Sequence, residues 1–145
     1  MNESTAITDL TLEDHLQIQQ LYSRFAFAID LHDVDAWLDC FTEDGELGLA
    51  ESDTAIDAPT SVTRGRAALR ELAQRITGGD TARVWHVNSN LVIAPTAVGA
   101  IGQCYLTLVT SVEDRSEITM AGYYKDELVK VDDKWLFRRR RVHTL

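Results

Sequence analysis

The sequence predicts an α+β fold: a cone-shaped, curved antiparallel (mixed) sheet wrapped around three N-terminal helices. Three observations carry this prediction. Apolar residues recur at helical spacing early in the chain, as in Ile18, Leu21, Tyr22, Phe25, Ala26 and Ile29. From Thr81 onward the period changes to alternation. The alternating runs are joined by Ala94-Pro95-Thr96-Ala97, Glu113-Asp114-Arg115 and Asp132-Asp133, short enough for hairpins. Helices that precede a meander pack on one face of it. The 145 residues form one domain, able to bury about 68–70% of the surface that its unfolded chain exposes.

Taken in order, residues 1–10 read as a frayed lead-in. Thr11-Leu12-Glu13-Asp14 has the form of a capping box and opens a helix that runs to about Asp30. Leu31-His32-Asp33 breaks it. Asp33 caps a shorter second helix to about Cys40, with Val34, Trp37, Leu38 and Phe41 inward. Thr42-Glu43-Asp44-Gly45 reads as a turn in which Gly45 supplies positive φ, followed by a short strand from Glu46 to Leu49. Residues 50–61 read as a polar loop beside an opening, ended by Gly65. Arg66 to Ile76 is a third helix, buried through Leu69, Leu72, Ala73 and Ile76. Strands follow over residues 82–94, 98–111, 116–131 and 134–143. Strands this long must curl, with Gly99, Gly102 and Gly122 as bend points. A curved sheet on a helix leaves a conical cavity, a natural small-molecule site.

Composition narrows the partners. Hydrophobic residues make up 45% and charged residues 26% of the chain, ordinary for a soluble globular protein. With 23 acidic and 14 basic residues, the net charge of −9 repels phosphate backbones and anionic lipid. Neither nucleic acid nor membrane is therefore expected as a partner. The run Arg138-Arg139-Arg140-Arg141 is the local exception, and on a strand its members alternate between faces. Read by simple alternation, Arg140 shares a face with Leu136 and Val142, and Arg139 and Arg141 align with Trp135 and Phe137. Cys40 and Cys104 lie in apolar surroundings without CxxC spacing and read as free thiols in a reducing cytosol. The N-terminus carries no secretory pattern, and no apolar run approaches the ~20 residues of a membrane span. A cytoplasmic protein is expected.

The residues that bear chemistry are few. Asp30 follows the run Ala26-Phe27-Ala28-Ile29, and a carboxylate in a last helical turn meets the negative end of the helix dipole, at a cost of about 0.3–1 kcal/mol. A local rule broken without local gain marks a functional position. The plain alternatives are a solvent-exposed helix end or a cap for the next helix. His86 shares one strand face with Val84, Asn88 and Asn90. It is either a strand histidine bonded to a neighbour or a general base, since an unperturbed imidazole titrates near neutrality. Together the two make chemical sense. A carboxylate that accepts from one ring nitrogen fixes the tautomer and frees the other nitrogen as a base. Tyr22, two turns before Asp30, either aims its hydroxyl into the same cavity or is ordinary core. No HExxH, GxSxG, GxGxxG or GxxxxGK[ST] occurs. Neither metal nor organic cofactor is expected.

The segments LYSRFAFAIDLHDVDAWLDCFTEDGEL, GRAALREL, RVWHVNSNLVI, AIGQCYLTLV and YYKDELVKVDDKWLFRRRRV together resemble the SnoaL-like branch of the nuclear-transport-factor-2-like superfamily. Within it the nearest look is to scytalone dehydratase, bile-acid dehydratase and hexachlorocyclohexane dehydrochlorinase. The resemblance implies a cofactor-independent lyase in which Asp30 and His86 abstract a proton. The resemblance gives Arg140 the part of assisting the departing anion, with Tyr22, from the residue reading, as the alternative. It further implies a pocket lined by Phe27, Leu47, Val84, Cys104, Leu106, Met120 and Tyr124. The substrate would be a small apolar molecule, aromatic or steroid-like, and the assembly a homodimer or homotrimer. Two departures stand out: Phe25 replaces a helix lysine of the dehydrochlorinase, and Cys104 replaces a second histidine of scytalone dehydratase. An isomerase or polyketide cyclase on the same pocket is the first alternative. A non-catalytic assembly subunit, such as an oxygenase small subunit, is the second, and it predicts Asp30 out of reach of His86.

Overall fold

The computed structural model describes residues 9–50, 61–79 and 83–144. The expected lead-in and the loop over residues 50–61 lie almost entirely outside them. The elements run α1 (Leu12–Asp30), α2 (Val34–Leu38), β1 (Phe41–Ala50), β2 (Ser61–Arg64), α3 (Arg66–Thr77), β3 (Arg83–Pro95), β4 (Ala100–Val112), β5 (Arg115–Val131) and β6 (Lys134–Thr144). The fold is α+β: the described residues form three helices and a curved six-stranded sheet that does not close, in the order β2-β1-β6-β5-β4-β3. β1 pairs with β6 in parallel and every other pairing is antiparallel, so the sheet is mixed. No helix among the described residues is long and apolar enough to cross a membrane.

Local chemistry sets the helix ends. The Thr11 hydroxyl accepts from the Asp14 backbone N–H at 3.0 Å, and the Asp14 carboxylate accepts from the Thr11 N–H at 3.0 Å, completing the capping box. The same carboxylate accepts from Trp135 Nε1 at 2.9 Å and Lys130 Nζ at 3.0 Å, tying the first turn of α1 to β6 and β5. These donors hold Asp14 well below the usual carboxylate range, with the Thr11 backbone N–H the largest influence. Asp33 caps α2 by accepting from the Ala36 N–H at 3.1 Å. Gly65, with φ of 85°, turns the chain into α3.

The stripe on α1 packs Ile18, Leu21, Tyr22, Phe25 and Ile29 against the sheet. Phe25, Trp37, Phe41 and Phe137 form one aromatic cluster in the core, with ring centroids 5.0 Å apart for Trp37–Phe41 and 5.5 Å for Phe25–Phe137. Each such buried ring contributes about 1.5–3 kcal/mol.

Four local expectations are corrected. Residues Thr42 to Gly45 belong to β1, where the register with β6 slips between Phe41 and Glu46. Gly45 does not take positive φ; a side chain there would come within 2.9 Å of Phe41 Cβ. The strand β2 was not anticipated, because Ser61-Val62-Thr63-Arg64 is too short to display alternation. Along β6, Glu127 pairs with Arg139 and Leu128 with Phe137, so Arg138 is an inserted residue. That bulge puts Arg140 on the helix side with Trp135 and Phe137, opposite to the alternation prediction. The register irregularities do not fall at Gly99, Gly102 or Gly122. Gly102 instead leaves room for Tyr22, whose hydroxyl oxygen would lie 2.2 Å from a Cβ at that position.

Candidate active site

Asp30, the last residue of α1, meets His86 in β3. Its Oδ1 lies 2.6 Å from His86 Nδ1. The same carboxylate accepts from the His86 backbone N–H, at 3.0 Å to Oδ2 and 3.2 Å to Oδ1. β3 is an edge strand, so this N–H has no strand partner, and the carboxylate takes the place of one. The unfavourable position at the helix end is thereby offset by charge-assisted hydrogen bonds. A carboxylate can only accept, so the proton of the ring sits on Nδ1 and Nε2 carries the free lone pair. The Asp30 side chain is 6% exposed and that of His86 17%. The carboxylate is sealed from solvent and the imidazole is still reachable.

Cross-strand register extends His86 into a helix-side row: His86 pairs with Leu108, and Leu108 with Met120. One row further on, Asn88 pairs with Leu106. Leu106, Cys104 and Tyr124 are buried on this face, and Leu47 and Met120 pack partly buried against them. Val84 is half-buried on the face of His86. These six expected lining residues stay on the helix side of the sheet or at its margin. Phe27 does not join them, since it is 64% exposed on the outward side of α1. The inward stripe passes through Ala26 and Ala28 to Ile29 and leaves Phe27 facing solvent.

Arg140 and Tyr22 meet each other, but through a residue the sequence reasoning missed. Asp126 accepts from Arg140 Nε at 3.0 Å and Nη2 at 3.2 Å, and from the Tyr22 hydroxyl. Arg140 and Asp126 are wholly sealed, each with 0% of its side chain exposed. The guanidinium lies 3.4 Å from the centroid of Tyr124 and 4.3 Å from those of Phe25 and Phe137. Burial pushes Asp126 up to about 6 against the pull of Arg140 and the Tyr22 hydroxyl. It is therefore ionised at neutral pH and pairs with the Arg140 cation. Of the two alternatives for Tyr22, the cavity-facing hydroxyl does not hold, because that hydroxyl donates to Asp126. Burial raises the Tyr22 and Tyr124 phenols, so both remain protonated. It also pushes the Cys104 thiol up to about 12, which removes it as a nucleophile.

Among the described residues, Arg140 Nη1 and Asn88 Oδ1 are buried without hydrogen-bond partners. Asn88 went unsingled in the sequence although it shares the His86 face. For Asp126 the available signal was its place two residues after Tyr124 and two before Leu128, in an inward register. Among the described residues no three His, Cys, Asp or Glu side chains gather as a metal set.

Among the described residues, the curved sheet packed on three helices has the cystatin-like, or nuclear-transport-factor-2-like, architecture. The chain belongs to the SnoaL-like domain family, whose profile matches residues 10–141. That superfamily includes dehydratases and polyketide cyclases. No functionally curated protein matches the chain. Among solved structures it is similar to a Nostoc punctiforme protein of unknown function with a cystatin-like fold. The two are 25% identical, with a TM-score of 0.77 over 94% of this chain and 95% of that one. It is also similar to Rv3472 of Mycobacterium tuberculosis, of unknown function, at 28% identity and TM-score 0.72 over 92% and 72% of the two chains. A Novosphingobium aromaticivorans protein provisionally named scytalone dehydratase shares the fold at 24% identity, with TM-score 0.76 over 100% and 89%.

Proposed function

We propose that this protein is a cofactor-independent lyase of the dehydratase or dehydrohalogenase type, acting on a small apolar, aromatic or steroid-like molecule. The observation that carries the reading is the 2.6 Å contact between Asp30 Oδ1 and His86 Nδ1, with the imidazole partly exposed. His86 Nε2 takes a proton from carbon while Asp30 stabilises the imidazolium that forms. The electron pair of the broken C–H bond becomes the new double bond as the bond to the leaving hydroxide or halide breaks. The imidazolium then returns its proton to the departing anion, giving water or hydrogen halide. Asp126 already compensates the charge of Arg140, which offers the helix side only its unbonded Nη1. Tyr22 takes no part in the step.

General base catalysis contributes about 10²–10⁴-fold, so desolvation and leaving-group contacts supply the rest. The test is a panel of β-hydroxy carbonyl and steroid-like compounds, screened by thermal stabilisation and then for product mass. Loss of water or hydrogen halide is the expected result; conserved mass supports the isomerase or cyclase reading instead. His86→Ala and Asp30→Asn should each abolish turnover with the melting temperature nearly unchanged. Full activity in either variant would end the proposal. The assembly-subunit reading required Asp30 out of reach of His86, and the 2.6 Å separation runs against it. Cytoplasmic location and self-association as a dimer or trimer remain part of this proposal, testable by fractionation and sedimentation.

A further inference from the structure

The face of the sheet turned away from the helices carries a second feature, unrelated to Asp30 and His86. A cavity of about 380 Å³ spans β3 to β6, within the range of small-ligand sites. Two cross-strand rows build it. In one, Ala94 pairs with Ile101, Ile101 with Glu127 and Glu127 with Arg139. In the other, Val92 pairs with Gln103, Gln103 with Lys125 and Lys125 with Arg141. The register therefore sorts the lining by chemistry. Val92, Ala94 and Ile101 make an apolar wall on β3 and β4, and Lys125, Arg139 and Arg141 a cationic wall on β5 and β6.

The cationic wall is built rather than incidental. Arg141 is 8% exposed, and its guanidinium lies flat over β1 because Gly48 has no side chain: a Cβ there would be 2.9 Å from both Cδ and Nη1. Arg141 Nη2 donates to Glu46 Oε1 at 3.0 Å, and Arg139 Nη1 donates to Glu127 Oε1 at 3.4 Å. Two N–H groups are left over. Arg141 Nη1 and Arg139 Nε are buried and have no acceptor, the latter being 3.7 Å from Glu46. Asp126 also borders the cavity, but its carboxylate is bonded to Arg140 and Tyr22. Lys125, Arg139 and Arg141 against Glu46 and Glu127 leave a positive excess, on a chain whose net charge is −9.

We propose that this cavity binds a small amphipathic carboxylate, its apolar body against Val92, Ala94 and Ile101 and its anionic head against Lys125, Arg139 and Arg141. The exposed apolar side chains account for the body. The local charge reversal accounts for the head, since a guanidinium recognises a planar carboxylate better than any neutral group.

Calorimetry on the intact protein tests the proposal, with hexanoate as probe and hexan-1-ol as its uncharged twin. One hexanoate per chain should bind, at least about tenfold more tightly than the alcohol. Val92 and Lys125 are exposed, so Val92→Asp and Lys125→Glu leave folding intact, and each should weaken hexanoate about tenfold. His86→Ala should leave hexanoate binding unchanged, which separates this site from the proposed lyase chemistry. Equal affinity for the two probes, indifference to both substitutions, loss of binding in His86→Ala, or no saturable heat overturns the proposal. So does sedimentation showing copies that Val92→Asp drives apart, because the face would then be occupied by the protein itself.

Discussion

Removing Asp126 should cost far more stability than its single position suggests. Asp126→Ala strips the fully buried Arg140 of both its hydrogen bonds and leaves the Tyr22 hydroxyl without an acceptor. Breaking one side of a buried ion pair costs about 3–5 kcal/mol, most of it the penalty of an uncompensated charge in a low-dielectric interior. The four aromatic rings around Arg140 soften that penalty without supplying an anion, and the orphaned phenol adds to it. Against a domain stability of about 5–15 kcal/mol, the variant folds but is severely weakened. At roughly 3 °C per kcal/mol for a chain of this size, its melting point should fall by about 9–15 °C. Urea unfolding followed by far-UV circular dichroism measures the loss directly, with the slope unchanged. Replacing both partners, Asp126→Leu with Arg140→Met, should recover much of it, because no charge is then stranded. A loss below about 1 kcal/mol for Asp126→Ala would refute the reasoning, since it would mean that water or another acceptor already satisfies the guanidinium.

Other outcomes follow from the same coordinates. Gly102→Ala places a methyl on the Tyr22 hydroxyl and should cost about 1–3 kcal/mol. Combined with Tyr22→Phe it should cost less than the sum of the two single changes, and strict additivity would show that the two residues do not meet. Asp14 has a folded pKa below its unfolded value, so its contribution is complete above about pH 4 and disappears as pH falls through the depressed value. Asp14→Asn should therefore cost about 1–2 kcal/mol at neutral pH and progressively less in acid. Denaturant titrations at several pH values check this, and a deficit that grows in acid would contradict it. Cys40 and Cys104, pushed up to about 11 and about 12 by burial, should resist iodoacetamide in the native protein and react once it is unfolded in urea. Fast native labelling would place a thiol at the surface.

The chain displayed its elements wherever burial is periodic. The α1 stripe and the alternation of β4 and β5 face one continuous core, so pattern and structure agree. Pattern failed where one residue breaks the period. The insertion at Arg138 reverses every side chain after it, and nothing in a run of four identical residues marks which one is extra. Asp126 was hidden for a related reason: a carboxylate on a strand reads as solvent-facing until its partner is known, and Arg140 sits across a strand pairing whose register only the bulge sets. Asp30 was conspicuous because it conflicts with its own helix. Its relief comes from the N–H of an edge strand far away in sequence, a long-range pairing that local rules can flag but not locate.

The double grip of Asp30 on both the main chain and the ring of His86 has a mechanical consequence. Two anchor points on one residue fix the tilt of the imidazole as well as its distance, much as a hinge with two screws cannot swivel. On the proposed lyase reading, a mutational library confined to Leu47, Val84, Leu106 and Met120 would vary the surroundings of His86 while its ring keeps its heading.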